Sequence, residues 1–481
     1  MIAEPEAPAG EVGTAAVLRN RPFLLLWLSQ LATQVGSNMV LYGLTVVVLE
    51  ATNLSSAVSA LFLTFLVPAV LLSAVAGVYV DRMDRRMVLV GTNILRAIVM
   101  VAIWAVGGNV TLILLLNVVI SSLTVFFAPA EAAMIPHLVP RNQLISANGL
   151  FTLTLNGAFA LGYALLGPLI VKIAGGPEPV LLAVAVLYAI SAMLCATLPS
   201  NAPTEEVLEP LDPVHEAGDA VHGTFSQLRE GAAYIRSNHA ISWSLGYLAI
   251  AASLVGVIGV LGPSFAQQTL GLGAQDLILV VLPLGTGIVM GVLLLNSYGK
   301  LLPRRRAIEG GLIALGVLLA ALTAAGPVSR ALVGGTGATP DVGSVTTLVA
   351  VVIVMAFMAG IAYGVVAISS QTQLQEDLPE EVRGRVFGVL NMLVSVGSFL
   401  PIILVGPISD FVGTTAVLLV VALLVLLSGV FSIVRRGHLA PAEALATASA
   451  IAHSSPMDPI GVARRSDPPE IDSHTNADAD A

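Results

Sequence analysis

The 481-residue chain is 56% hydrophobic and only 11% charged, with a mean hydropathy of +0.91. A water-soluble protein of two or three domains is thereby excluded: apolar runs long enough to span a bilayer, about 20 residues at about 1.5 Å rise each, recur along most of the length. The formal net charge of −9 comes largely from the tails and a central loop, and a single cysteine, Cys195, leaves no room for disulfides or cysteine-ligated metal clusters.

Residues 1–20 are acidic and rich in Pro and Ala, without the layout of a signal peptide, so the first apolar segment is expected to be an uncleaved span. Helical spans are predicted over 23–48, 56–79, 87–107, 111–134, 147–172 and 179–198, then over 242–262, 277–298, 308–326, 346–369, 386–408 and 414–434. Only helices and closed barrels satisfy their backbone polar groups in lipid, and these runs have helical length. The expected architecture is an all-α membrane protein of 12 transmembrane helices in two pseudo-symmetric six-helix bundles, 21–198 and 242–436. Between them, 199–241 reads as a cytoplasmic loop. Phe225, Leu228, Ala232 and Ile235 recur there at helical spacing opposite Arg229, Glu230 and Arg236, as in an amphipathic helix lying on the membrane face. The tail, 437–481, lacks apolar periodicity and is expected to be disordered.

Basic residues choose the orientation. Of the 21 Lys and Arg, all but Arg96, Lys172 and Arg330 fall in segments that are cytoplasmic if both termini are, as the positive-inside rule requires. Two pairs of segments hint at duplication. "LVPRNQLISANGL" enters the fifth span much as "LPEEVRGRVFGVL" enters the eleventh, and "DRMDRR" leads into the third as "LLPRRR" leads into the ninth. Paired six-helix halves around a midplane site are a transporter arrangement.

The loop "GVYVDRMDRR" concentrates charge between the second and third spans. Its Gly77, Asp81, Arg82, Arg85 and Arg86 match the signature G-x3-D-R-x-G-R-[RK], with Asp84 where most members have Gly. On these residues the chain resembles the major facilitator superfamily over roughly 20–436. With "LREGAAYIRSN", "FFAPAEAAMIPHLVP" and "LPEEVRGRV" it is similar to the prokaryotic macrolide-efflux and enterobactin-exporter-like branch, also called transmembrane secretion effectors. The chain departs from that branch at Gly36-Ser37, where Gly-Asp is common, and at Asn93-Ile-Leu-Arg96, where D-x-x-R is frequent. The fourth span lacks the Arg of drug–proton antiporters, and their fifth-span signature survives as Gly157, Gly162 and Gly167 beside Pro168. The resemblance implies a cytoplasmic latch. Asp81 would approach the N-terminus of the eleventh span, Arg85 would reach Glu131 at the end of the fourth, and Gly77 would let spans two and eleven come close.

Few polar groups remain inside the spans. Arg96 lies roughly 13 Å into the third span at about 1.5 Å per residue. Its insertion cost of about 2.5–3.5 kcal/mol demands partners, and Asn93 is one turn away. Two readings stand: a structural pin, or a cavity group meeting an anionic or carbonyl-rich part of the cargo. In the first span Gln30, Gln34, Ser37, Asn38 and Tyr42 form a polar stripe, and in the eleventh Asn391, Ser395 and Ser398 form another. The cavity candidates are therefore Gln30, Gln34, Asn38, Asn93, Arg96, Asn391 and Ser395. Trp243, Tyr247 and Tyr363 are aromatic candidates for stacking on a lipophilic cargo.

No catalytic, cofactor-binding or metal-ligating set is expected: every His falls in a loop or tail, and no phosphate-binding Gly-Lys loop occurs. The expected function is secondary active transport, most simply export of lipophilic or amphiphilic small molecules such as drugs or siderophore-like metabolites. The alternatives are an importer, a lipid flippase, or a transport-inactive receptor or scaffold. The expected partners are a small-molecule substrate, the lipid bilayer of a prokaryotic plasma membrane and a proton or other ion gradient, with Asp81, Glu131 and Asp410 as the carboxylate candidates for coupling. Nucleic acid is not expected as a partner, and the chain is expected to act as a monomer.

Overall fold

A computed structural model of the chain describes residues 14–200, 239–268, 278–298, 303–334, 342–377 and 383–437, and no β-strand occurs among them. After a short α1 (Thr14–Arg19) comes the first long helix, α2 (Arg21–Thr52). Asn20 caps it, accepting the Phe23 N–H, and its own amide donates to Leu138 O at 2.7 Å, tying this end to a neighbouring helix. At the other end Asn53 takes a left-handed φ of 53° and returns its N–H to Leu49 O, a conformation that asparagine tolerates.

α3 (Ser55–Asp81), α4 (Arg85–Val106) and α5 (Val110–Leu138) follow as long apolar helices. The next span is interrupted: α6 (Leu144–Ala158) widens into a π-helical stretch, Phe159–Leu166, before α7 (Gly167–Ala174). Pro168 has no N–H and its ring crowds the carbonyl four residues back. The wider turn accommodates this by sending the Gly167 N–H to Gly162 O. α8 (Glu178–Ala196) closes the first half. The second half holds α9 (His239–Gln268), α10 (Ile278–Tyr298), α11 (Arg304–Gly334), α12 (Val342–Asp377), α13 (Arg383–Val412) and α14 (Thr414–Gly437). Among the described residues eleven helical stretches are long and apolar enough to cross a membrane, and Gly397–Val412 is a shorter apolar helical segment. The expected amphipathic helix around Phe225–Ile235 and the tail beyond Gly437 lie outside the described residues.

Burial follows lipid logic, with large side chains such as Leu95, Ile98 and Leu115 left exposed on the perimeter. The interior is closed by small residues. α10 and α12 cross so tightly that a Cβ on Gly287, Gly291, Gly360 or Gly364 would run into the facing backbone. Helices in lipid associate through such close van der Waals contact, since lipid tails remove the hydrophobic drive. One apolar cluster joins the two halves, bringing Val46, Leu61 and Phe62 together with Val257, Leu261, Ile402 and Val405. From Phe431 the chain belongs to a separate unit, in which the Arg435 guanidinium lies 5.3 Å from the Phe431 ring centroid.

Candidate functional site: a neutral cavity between the halves

α2, α3 and α5 from the first half and α9 and α13 from the second surround a cavity of about 870 Å³. One wall is polar: Gln34, Ser37 and Asn38 of α2 face Ser121 and Thr124 of α5, with Ser398 of α13 across from them. The rest is apolar, including Phe62, Phe65, Leu66 and Val255. No Asp, Glu, Lys, Arg or His lines it among the described residues. The cavity runs past Ser73 of α3 and Pro129 of α5, toward the end of the helices that carries the Asp81–Arg86 loop.

The α2 stripe divides between two environments. Asn38 donates its amide to Gln34 O at 2.8 Å, and Ser37 shares a 3.1 Å hydrogen bond with the Tyr188 hydroxyl, all on the cavity wall. Gln30 is buried in the bundle instead, its Oε1 without a hydrogen-bond partner.

Arg96 and Asn93 also lie in that bundle interior rather than on the cavity wall. Arg96 is 1% exposed. Its Nη1 donates to Asn93 Oδ1 at 3.4 Å and its Nη2 to Leu123 O at 3.3 Å, while Nε is unpartnered. The guanidinium lies 4.5 Å from the Phe127 ring centroid and 5.5 Å from that of Tyr188, a cation–π sandwich that substitutes for water. Asn93 donates to Ser191 Oγ at 2.9 Å, and Ser29 joins Ser191 and Cys195 at 2.6 and 3.0 Å. Glu131 of α5 is a further buried group of this half, 6% exposed, and its Oε1 has no hydrogen bond. Tyr188 belongs to both environments, with its ring against Arg96 and its side chain in the cavity wall.

At the loop end the substituted signature position has a local reason. Asp84 is the N-cap of α4, accepting the Arg86 N–H at 3.0 Å and the Ser200 hydroxyl at 2.6 Å. Glycine could not supply that acceptor. Arg86 donates through Nη2 to Ala196 O, fastening α4 to the end of α8. Arg82 is the C-cap of α3, and both it and Arg85 are half-buried. Gly77 has nothing among the described residues within 4 Å of where a Cβ would sit. The side chains of Asp81, Asn391 and Ser395 lie outside the described residues.

The family model for the Major Facilitator Superfamily matches residues 26–401. The chain belongs to this superfamily. An MFS-type transporter of Mycobacterium tuberculosis, Rv0037c, is 27% identical over 391 residues, covering 78% of this chain and 81% of its own. The multidrug efflux pump Tap of the same species is 24% identical over 430 residues, covering 86% and 93%. Among solved structures the nucleoside transporter NupG superposes with a TM-score of 0.62 at 13% identity, over 86% of this chain and 98% of that one, a likeness of fold. The resemblance to a superfamily with efflux members thus holds across most of the sequence.

In this MFS member several site residues have no signal in any one segment. Phe127 and Tyr188 sandwich Arg96 from different helices, and Phe159 stacks on Tyr163 at 5.1 Å along the π-helical stretch. That aromatic pair borders a second, narrower cavity of about 90 Å³ with Phe62, Leu284 and Tyr363. Of the aromatics singled out from sequence, Tyr363 lines this apolar cavity, whereas Trp243 and Tyr247 pack on each other in the core of the second half.

Proposed function

We propose that this MFS chain exports lipophilic or amphiphilic small molecules, of drug-like or siderophore-like chemistry, by alternating access across a prokaryotic plasma membrane. The observation that carries the reading is the wall of the larger cavity: amides and hydroxyls on one side, aromatic and aliphatic surface on the other, and no described charge. A neutral, partly polar wall orients a cargo by a few hydrogen bonds while apolar contact supplies the affinity. A small hard ion would find no compensating charge there. The relative Tap, a multidrug efflux pump, supports the outward direction.

The proposal includes twelve crossings with both termini cytoplasmic, supported by the distribution of Arg and Lys, and a functional monomer. It retains the cytoplasmic latch, with Asp81 facing the N-terminus of α13. Glu131 is the coupling carboxylate of choice, because it is buried within the first bundle on the same helix as the cavity-lining Ala128 and Pro129. A proton taken up there would change the buried charge of that bundle without placing an ion in the cargo's path.

Accumulation of a panel of neutral and weakly basic fluorescent amphiphiles, in cells with and without the gene, tests the function. Lower accumulation with the gene is expected, reversed by collapsing the proton gradient and weakened by Asn38→Leu, which removes a cavity amide. Equal accumulation with and without the gene across the panel refutes export of this class, and gene-dependent efflux that survives collapse refutes proton coupling.

A further inference from the structure

α3 and α13 end in the same pattern, Gly77-x3-Asp81 in one and Gly406-x3-Asp410 in the other. At the second of these the geometry is explicit. Asp410 Oδ1 accepts the Ser55 N–H at 2.8 Å, and Oδ2 accepts the Ser56 N–H at 2.9 Å. These donors open the first turn of α3, where helix geometry provides no partner, and the helix's own N-cap residue, Leu54, makes no side-chain bond to them. A carboxylate from the other half of the molecule performs the cap, on the positive end of the helix dipole.

The surroundings are built for close approach. A Cβ on Gly406 would overlap Ser55 and Ser59. Ser59 Oγ donates to Ile402 O at 2.7 Å, one turn before Gly406, and the Ser55 hydroxyl bonds that of Ser264 in α9 at 2.9 Å. Ser55, Ser59 and Ser264 are all buried. Asp410 therefore sits at the rim of a dry seam that joins α3 to α13 and α9.

We propose that Asp410 is the gating residue of a second latch, which shuts the end of the cavity opposite the Asp81 loop by capping α3 from across the molecule. This assignment rests on the alternating-access reading above. α3 and α13 then form a reciprocal pair, each ending in a Gly-x3-Asp whose aspartate serves the other's first turn. Release at one end accompanies engagement at the other. In the described conformation the Asp410 end is engaged.

The test follows access to the cavity and needs no cargo. A cysteine replaces Thr124 in the cavity wall, with the parent chain and its buried Cys195 as background. A membrane-impermeant maleimide is added to intact cells and, separately, to inside-out vesicles. Asp410→Ala is expected to raise the labelling rate from outside about fivefold, the scale of a lost helix cap, and to lower it from inside. Asp410→Asn keeps one acceptor and loses the charge, so a smaller rise in the same direction is expected. A monodisperse elution profile of each detergent-purified variant, matching the parent's, shows that it is folded. Outside labelling equal to the parent's in both folded variants overturns the latch, whatever the accumulation assay shows. Absent gene-dependent efflux with the expected labelling overturns the export reading and leaves the latch standing.

Discussion

Arg96 and Glu131 show how much a single buried charge depends on its neighbours. Arg96 replaces hydration with one amide, one carbonyl and two aromatic faces, and Glu131 is a second buried ionisable group of the same half. Deleting a buried group and leaving its hydrogen-bond partners unpaired typically costs about 1–3 kcal/mol. Arg96→Gln should therefore lower the thermal midpoint of the detergent-purified protein, and an unchanged midpoint would show that these contacts do not support the fold. The need for partners at Arg96 was legible in the sequence, as was Asn93 one turn away. The aromatic sandwich was not, because Phe127 and Tyr188 come from helices whose mutual rotation no local pattern records. The α2 stripe was half legible for a related reason. Four-residue steps drift about 40° around a helix, so Gln30 turns into the bundle while Gln34 and Asn38 reach the cavity.

At the scale of elements, the helices fall where the apolar runs place them, since a run of this length in lipid has little alternative to helix. What the runs leave open is how helices touch. The π-helical widening before Pro168 depends on a ring–carbonyl conflict that periodicity averages away. The α10–α12 crossing had a visible trace in Gly287-x3-Gly291 and Gly360-x3-Gly364, the small-residue spacing of close helix pairs, and only the folded chain shows that these two faces meet. Gly360→Leu would drive its side chain into Leu284 O, an overpacking cost of about 1–3 kcal/mol. Its melting temperature should fall, while Gly246→Ala, at a position with nothing within 4 Å of the added Cβ, should leave it unchanged or slightly raised. Equal behaviour of the two would mean that the crossing tolerates separation. The signature loop is a case where an apparent departure was structural: Asp84 is the cap that starts α4.

Across the whole molecule, two halves meet around a cavity whose described lining carries no formal charge. That has an electrical consequence. A unit charge moved through the full membrane potential exchanges about 2.3 kcal/mol per 100 mV, but amides, hydroxyls and aromatic rings swinging from one side to the other exchange almost nothing. The described cavity wall acts as an uncharged carriage and itself gives the field no charge to move. In proteoliposomes with a potassium-diffusion potential and no pH difference, the rate for a neutral cargo should steepen with voltage according to the ions exchanged per cycle. For cargoes of different charge, the slopes should differ by whole units. The difference in voltage dependence between two cargoes would then be a direct count of the charge that separates them.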